Sequence, residues 1–167
     1  MFEWKEKSDK SCEVGTLVHS IIENYILTGN IETYGIDNRE LVAVEFIESI
    51  FKTNRLIPIE TEYIVYNDKI AGQIDLICKD NEGNYYIIDF KTNSEITKYS
   101  YYKKMIFPLD DFNDSNFYHY SLQLCIYKEL LKEYSIKDLF IVHIKDNGYE
   151  FIKCENILEN LNVKQLF

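Results

Sequence analysis

The sequence predicts an α/β (α+β) fold in which three neighbouring antiparallel strands are flanked by amphipathic helices. From Glu62 to Lys91 the chain reads strand, turn, strand, turn, strand: apolar and β-branched runs are broken by Asn67-Asp68 and by Asp80-Asn81-Glu82-Gly83-Asn84. Apolar residues recur at helical spacing before and after this stretch. At 167 residues, 46% hydrophobic and 28% charged, the chain is long enough to bury a core and is expected to form one domain over residues 1–167.

In chain order, Glu13 to Leu27 is expected to be the first helix, with Val14, Leu17, Val18, Ile21, Ile22, Tyr25 and Ile26 on its apolar side and Gly29 as a stop. His19 and Glu23 are four residues apart and share a face bordering that side. His19 suits a metal through a neutral imidazole nitrogen, with Glu23 as a second ligand or as the partner that orients it; an ordinary His–Glu pair is the alternative. A second helix, from Asp37 to about Phe51, opens with a capping-box pattern, Asp37 followed by Glu40. Pro58 marks entry into the sheet, where Glu60 and Glu62 should share a face, and Glu62 is the better placed to approach a site.

The chemistry is expected in Gly72-Gln73-Ile74-Asp75 and Ile87-Ile88-Asp89-Phe90-Lys91. Asp89 and Lys91 project from one face of their strand and Ile88 and Phe90 from the other. Charges on so apolar a strand need a reason, because an unpaired buried charge is costly. Asp75 on the adjacent strand supplies one: two carboxylates on a rigid sheet suit Mg²⁺ or Mn²⁺, with Lys91 beside them as a point charge. An ordinary charged pair at a strand end is the bland alternative, and Asp-x-Lys alone would not decide between them.

Thr92 to Ser115 has no clean period. It holds Lys98, Tyr99, Tyr101, Tyr102, Lys103 and Lys104, an interleaving of cations and rings that fits phosphates and unpaired bases and equally fits a solvated loop. Ser115 to Tyr134 is expected to be the third long helix, carrying Tyr120, Gln123 and Tyr127 in one stripe. Gln123 can orient a water or a phosphate oxygen, and Tyr127 can support it from one turn away. Asp138 to Ile144 reads as a strand, Asn147-Gly148 as a hairpin turn into Tyr149 to Lys153, and a short polar helix should close the chain.

The net charge of −10 argues against simple electrostatic binding of nucleic acid, but a metal site needs carboxylates and divalent ions reverse their local sign. Between Lys91 and Lys104 four lysines stand against one acid. Cys12, Cys78, Cys125 and Cys154 form no Cys-x-x-Cys pair, which disfavours a zinc knuckle or an iron-sulfur cluster. No apolar run is long enough for a membrane span, and the charged start is not a signal peptide, so a cytoplasmic location is expected.

Gly15-Thr16-Leu17-Val18-His19 with Glu23, then Glu62, Gly72-Gln73-Ile74-Asp75, Asp89-Phe90-Lys91-Thr92, and the run from Tyr120 through Gln123 to Tyr127 together resemble the RecB-type branch of the PD-(D/E)XK nuclease superfamily. Within it the chain looks most similar to small phage, viral and mitochondrial genome-maintenance exonucleases, in which a Gly-Thr-x-x-His helix and a Gln-Leu-x-x-Tyr helix flank the sheet. The resemblance implies a restriction-endonuclease-like α-β-β-β-α-β core with a mixed central sheet. It implies a divalent metal, Mg²⁺ or Mn²⁺, one or two ions, held by His19, Asp75, Asp89 and the carbonyl of Phe90; the iron-sulfur relatives carry flanking cysteine ligands whose spacing this chain does not match, so no iron-sulfur cluster is expected. It makes Lys91 the catalytic lysine, places Gln123 and Tyr127 beside the substrate backbone, and gives Glu62 and Glu23 supporting places. The implied partner is DNA, single-stranded or with free ends, in replication, recombination or repair, with a helicase or similar protein where strand separation is required. Such a nuclease would work inside the host cell if its source is viral. An endonuclease of the same fold, a non-catalytic nucleic-acid-binding subunit and an acidic mimic of nucleic acid are the competing readings.

Overall fold

The computed structural model describes residues 2–159, with side chains from residue 12. In chain order it contains α1 (Phe2–Thr28), α2 (Asn38–Phe46) running into a π-helical turn (Ile47–Phe51), β1 (Ile57–Tyr66), β2 (Ala71–Lys79), β3 (Tyr85–Lys91), α3 (Asn116–Leu130), β4 (Ile136–Lys145) and β5 (Gly148–Lys153). The five strands form one sheet in the order β1-β2-β3-β4-β5. β1, β2 and β3 make an antiparallel meander, β4 joins β3 in parallel, and β5 returns antiparallel to β4. This is the mixed, helix-flanked α+β sheet of the restriction-endonuclease-like fold.

The sheet separates two apolar layers. On one side α1 and α2 bury Val14, Val18, Phe46 and Ile47 against Leu76, Ile88, Phe90 and Val142. On the other, α3 buries Phe117, Leu124 and Cys125 against Ile74, Ile77, Ile87 and Ile141. β3 has both faces covered, and its central four residues, Ile87 to Phe90, are all buried. That explains its near-continuous apolar sequence. The parallel β3–β4 pair requires a crossover, and residues 92–135, containing α3, supply it.

The helices and strands depart from sequence expectation mainly at their ends. α1 begins well before Glu13, because no Gly or Pro stands between Phe2 and Glu13 to break it even though the apolar stripe is absent there. The second helix switches to π-helical bonding at Ile47. α3 stops at Leu130 because the next residue, Leu131, turns to extended backbone and buries its side chain. β4 begins at Ile136 and ends at Lys145, and the hairpin turn is Asp146-Asn147, one residue earlier than expected. The expected C-terminal helix lies largely outside the described residues.

The start of α2 rests on Glu40. Its carboxylate is buried and accepts backbone N–H bonds from Tyr34, Gly35, Ile36 and Asp37, while Asp37 accepts from Arg39 N at 3.1 Å. Burial pushes the Glu40 pKa up, but the four N–H donors outweigh it and hold the group below its ordinary value. Glu40→Ala leaves these donors without an acceptor and is expected to cost about 1–3 kcal/mol in a urea titration at pH 7. Because the folded-state pKa is depressed, that stability is present above the ordinary carboxylate pKa and lost as pH falls through the folded value, so variant and wild type should converge in acid.

Candidate functional site

β2 and β3 pair from Lys79↔Tyr85 to Leu76↔Ile88, and the site lies where the ladder ends. Beyond Leu76 a side chain takes over from backbone: Asp75 Oδ2 accepts the Phe90 N–H at 2.8 Å. The carbonyl of the same residue is met from α1, where His19 Nε2 lies 2.9 Å from Phe90 O. A carbonyl only accepts, so Nε2 donates, and in the neutral ring Nδ1 is then a bare lone pair. That lone pair lies 3.5 Å from Asp75 Oδ2. Two acceptors face each other, an arrangement that a cation or a proton between them relieves. α1 comes close to this segment at Gly15, where a Cβ would lie a tight 3.3 Å from Thr92 Oγ1.

Glu62 completes a cluster. His19, Glu62 and Asp75 each offer one ligand atom, and these atoms lie within 4.8 Å of one another. Glu62 sits between the pairs Thr61↔Leu76 and Tyr63↔Ile74 with a positive φ of 52°, uncommon for a residue with a Cβ. Opposite it the pleat of β2 is interrupted: Ile74 packs in the α3 layer but Leu76, two residues on, packs in the α1 layer. The irregularity therefore falls at Asp75 itself. Glu60 goes elsewhere, accepting from Tyr134 Oη at 3.4 Å, so the expectation that Glu60 and Glu62 share a regular strand face does not hold.

The electrostatics of the cluster favour a cation. Burial, then the charge of Asp89, pushes Asp75 up to about 6, and burial with Asp75 and Glu23 raises Glu62. Glu23 thus acts on the cluster through its charge. Two carboxylates and one imidazole form a donor set that fits a divalent metal ion.

Asp89, 3% exposed, lies on the α3 side, and its Oδ2 is 2.5 Å from Lys91 Nζ. The same oxygen is buried and receives no well-directed hydrogen bond. Burial pulls the Lys91 pKa down, but the Asp89 carboxylate outweighs it and the net direction is upward, so Lys91 is held as a cation. Its ammonium also lies 4.9 Å from the centroid of the Tyr120 ring. One turn along α3, Gln123 Nε2 donates to Tyr127 Oη at 2.8 Å. Tyr127 packs directly on β2 at Gly72, where a Cβ would fall 2.2 Å from Tyr127 Cε1. Only glycine fits there, a requirement that becomes visible once the partner across the sheet is known.

Sequence-predicted residues therefore gather in two adjoining groups, His19, Glu62 and Asp75 in one and Asp89 with Lys91 in the other, with Tyr120, Gln123 and Tyr127 lining the α3 side. The Phe90 carbonyl already engages His19. In the loop after β3, Lys98 is ion-paired with Glu155 at 2.6 Å and stacks 4.5 Å over Phe117, and Lys104 Nζ donates to Asp111 O. Tyr99, Tyr101 and Tyr102 are largely exposed, and Lys103 is exposed as well. Sequence reasoning missed Arg39, which donates to Thr92 O at 2.8 Å and braces the segment after Lys91, and it missed His143 and Asn93 beside the site. Among the described residues no helix is long and apolar enough to cross a membrane.

The family model for the PD-(D/E)XK nuclease superfamily matches residues 32–146. This span includes Glu62, Asp75, Asp89, Lys91, Gln123 and Tyr127; His19 and Glu23 precede it. Among solved structures, that of SSO0001 is 18% identical, covering 92% of this chain and 82% of that one, with a TM-score of 0.37. No curated protein is similar enough to count as a match.

The raised pKa of Asp75 has a consequence for the metal-free protein. Between its ordinary value of 3.8 and about 6 the folded chain binds more protons than the unfolded chain, so stability falls as pH rises through that window. Asp75→Asn keeps an acceptor for the Phe90 N–H and removes the charge. In EDTA at pH 8 it is expected to be more stable than wild type by about 3 kcal/mol, the gap closing towards pH 4. Mn²⁺ should raise the wild-type melting temperature and leave that of the variant unmoved. An unchanged metal response in Asp75→Asn would remove Asp75 from the metal site.

Proposed function

This chain belongs to the PD-(D/E)XK nuclease superfamily, and from that membership we propose a divalent-metal-dependent exonuclease that hydrolyses DNA from single-stranded ends, in the RecB-type branch. The observation that carries the reading is the meeting of His19 from α1, Glu62 from β1 and Asp75 from β2 within 4.8 Å, beside the Asp89–Lys91 pair. Three ligand-type residues from three elements converge, and the Lys91 cation in the adjoining group acts electrostatically on one of them, Asp75.

In this reading His19, Glu62 and Asp75 hold the ion, with Asp89 and the Phe90 carbonyl flanking them. A bound Mg²⁺ or Mn²⁺ supplies Lewis acidity to a phosphoryl oxygen and lowers the pKa of a water. The chain's own residues do the rest. Lys91 places a fixed positive charge where the phosphate oxygens gain negative charge during in-line attack, and Asp89 keeps it charged and aimed. Gln123, with one N–H committed to Tyr127, presents its amide oxygen and second N–H to a water or to the substrate backbone. Phe90 carries the site at its backbone and closes the α1 layer at its side chain.

Tyr99, Tyr101 and Tyr102 support the preference for unpaired strands, since exposed rings with lysines among them offer stacking surfaces without reading a duplex groove. Lys98 is partly neutralised by Glu155, so Lys103 and the rings carry more of that role.

Lys91→Ala tests the proposal on end-labelled single-stranded, duplex and closed-circular DNA in Mg²⁺, in Mn²⁺ and in EDTA. Wild type is expected to degrade linear DNA only with metal and to spare circles. The variant should lose at least about 10²–10³-fold in kcat, the cost of removing one preorganised charge-stabilising group. Cleaved circles would replace the exonuclease with an endonuclease. Absence of cleavage by folded, metal-binding wild type would leave a nucleic-acid-binding subunit.

A further inference from the structure

Beside the site lies a buried histidine with no place in that mechanism. His143 is on β4, 2% exposed, in register with Lys91 on the neighbouring β3. Its Nε2 lies 2.7 Å from Asn93 O; a carbonyl cannot donate, so the imidazole does. Its Nδ1 lies 3.3 Å from Glu150 Oε1 on β5, and Glu150 is in turn paired with Lys145 at 3.1 Å. Asn93 is two residues beyond the end of the catalytic strand. Its side-chain Oδ1 accepts the Tyr120 hydroxyl at 3.0 Å, and the Tyr120 ring is the one under the Lys91 ammonium.

We propose that His143 is a positioning residue for Lys91. It fixes the Asn93 backbone, Asn93 fixes Tyr120 through its hydroxyl, and the ring face of Tyr120 holds the ammonium over the site. The inference rests on Lys91 being the catalytic cation. The need for such a device follows from the chain. Residues after Lys91 leave the sheet at once, and the lysine's long stem has several rotatable bonds. Asp89 fixes the ammonium from one side only. The face of an aromatic ring fixes it from another, and the hydroxyl of that ring donates to Asn93, whose own carbonyl is held by the His143 donor on the adjacent strand. Arg39, donating to Thr92 O, braces the residue between Lys91 and Asn93, so one buried donor and one half-buried donor hold consecutive carbonyls of this short segment.

The test separates positioning from packing. His143→Gln keeps an N–H able to reach the Asn93 carbonyl, whereas His143→Met keeps the bulk without the donor. With wild type active on linear DNA in Mn²⁺, His143→Met is expected to lose about 10²-fold in kcat, with KM and melting temperature changed far less, as for a displacement of the order of an ångström. His143→Gln should recover most of that loss. The double variant His143→Met with Tyr120→Phe should be no worse than His143→Met alone, since both cut one path.

A second readout needs no activity. In metal-free protein the Lys91 ε-methylene protons, assigned by their disappearance in Lys91→Arg, should be shifted upfield by the Tyr120 ring and should lose that shift in His143→Met and in Tyr120→Phe. Equal kcat losses in His143→Gln and His143→Met, or an unmoved Lys91 resonance in His143→Met, would overturn the proposal. Should His143→Met not fold, His143→Leu, which likewise lacks the donor, is read by the same resonance. Wild type that fails to cleave would overturn the nuclease reading, and the resonance would still decide the positioning.

Discussion

The backbone of Phe90 is the point on which the site depends. Its N–H is taken by the Asp75 carboxylate and its carbonyl by the His19 imidazole, so a side chain from β2 and one from α1 replace the strand partners that the diverging ladder no longer provides. Both groups are in a region where an unsatisfied backbone dipole is costly. One arrangement therefore meets two requirements: it satisfies the peptide groups of β3, and it brings an imidazole nitrogen and a carboxylate oxygen close together. The cluster is a by-product of finishing the sheet, with Glu62 added by a local departure from β geometry.

The same divergence explains the sign of the local charge. The chain is strongly acidic overall, and the carboxylates nearest the site have pKa values pushed up by burial and by one another. On the other side of β3, Asp89 is matched by Lys91. Alternation on one strand thus divides the region into a half that lacks positive charge and a half that contains it. A substrate phosphate needs both, an ion between itself and the carboxylates and a fixed cation at its oxygens.

Much of this was legible in the sequence. The strands followed from apolar and β-branched runs between turn residues, the cap of α2 from Asp37 and Glu40, and the Asp89–Lys91 pairing from strand alternation. What the sequence hid depends on contacts across the sheet. Gly72 looks like any strand glycine until Tyr127 is found against it. The positive φ at Glu62 and the interrupted pleat at Asp75 have no local signature, and regular alternation wrongly put Glu60 with Glu62. His143 sits in an apolar run where a histidine reads as core, and its partners Asn93 and Glu150 lie 50 and 7 residues away. The π-helical turn at Ile47 likewise has no mark in a sequence whose apolar spacing continues through it.

The parallel pairing of β3 with β4 also orders the assembly of the molecule. β1, β2 and β3 are sequential hairpins and can zip from their turns, bringing Glu62 and Asp75 together through short loops. β4 must wait for the whole of residues 92–135 to be drawn in, a closure whose entropic cost is met before any of its contacts form. The two carboxylates are thus joined through one local hairpin, whereas the strand beside Lys91 reaches β3 only across the long crossover. The acidic half of the site is early and local, and its cationic half acquires its fixed geometry only when the crossover closes.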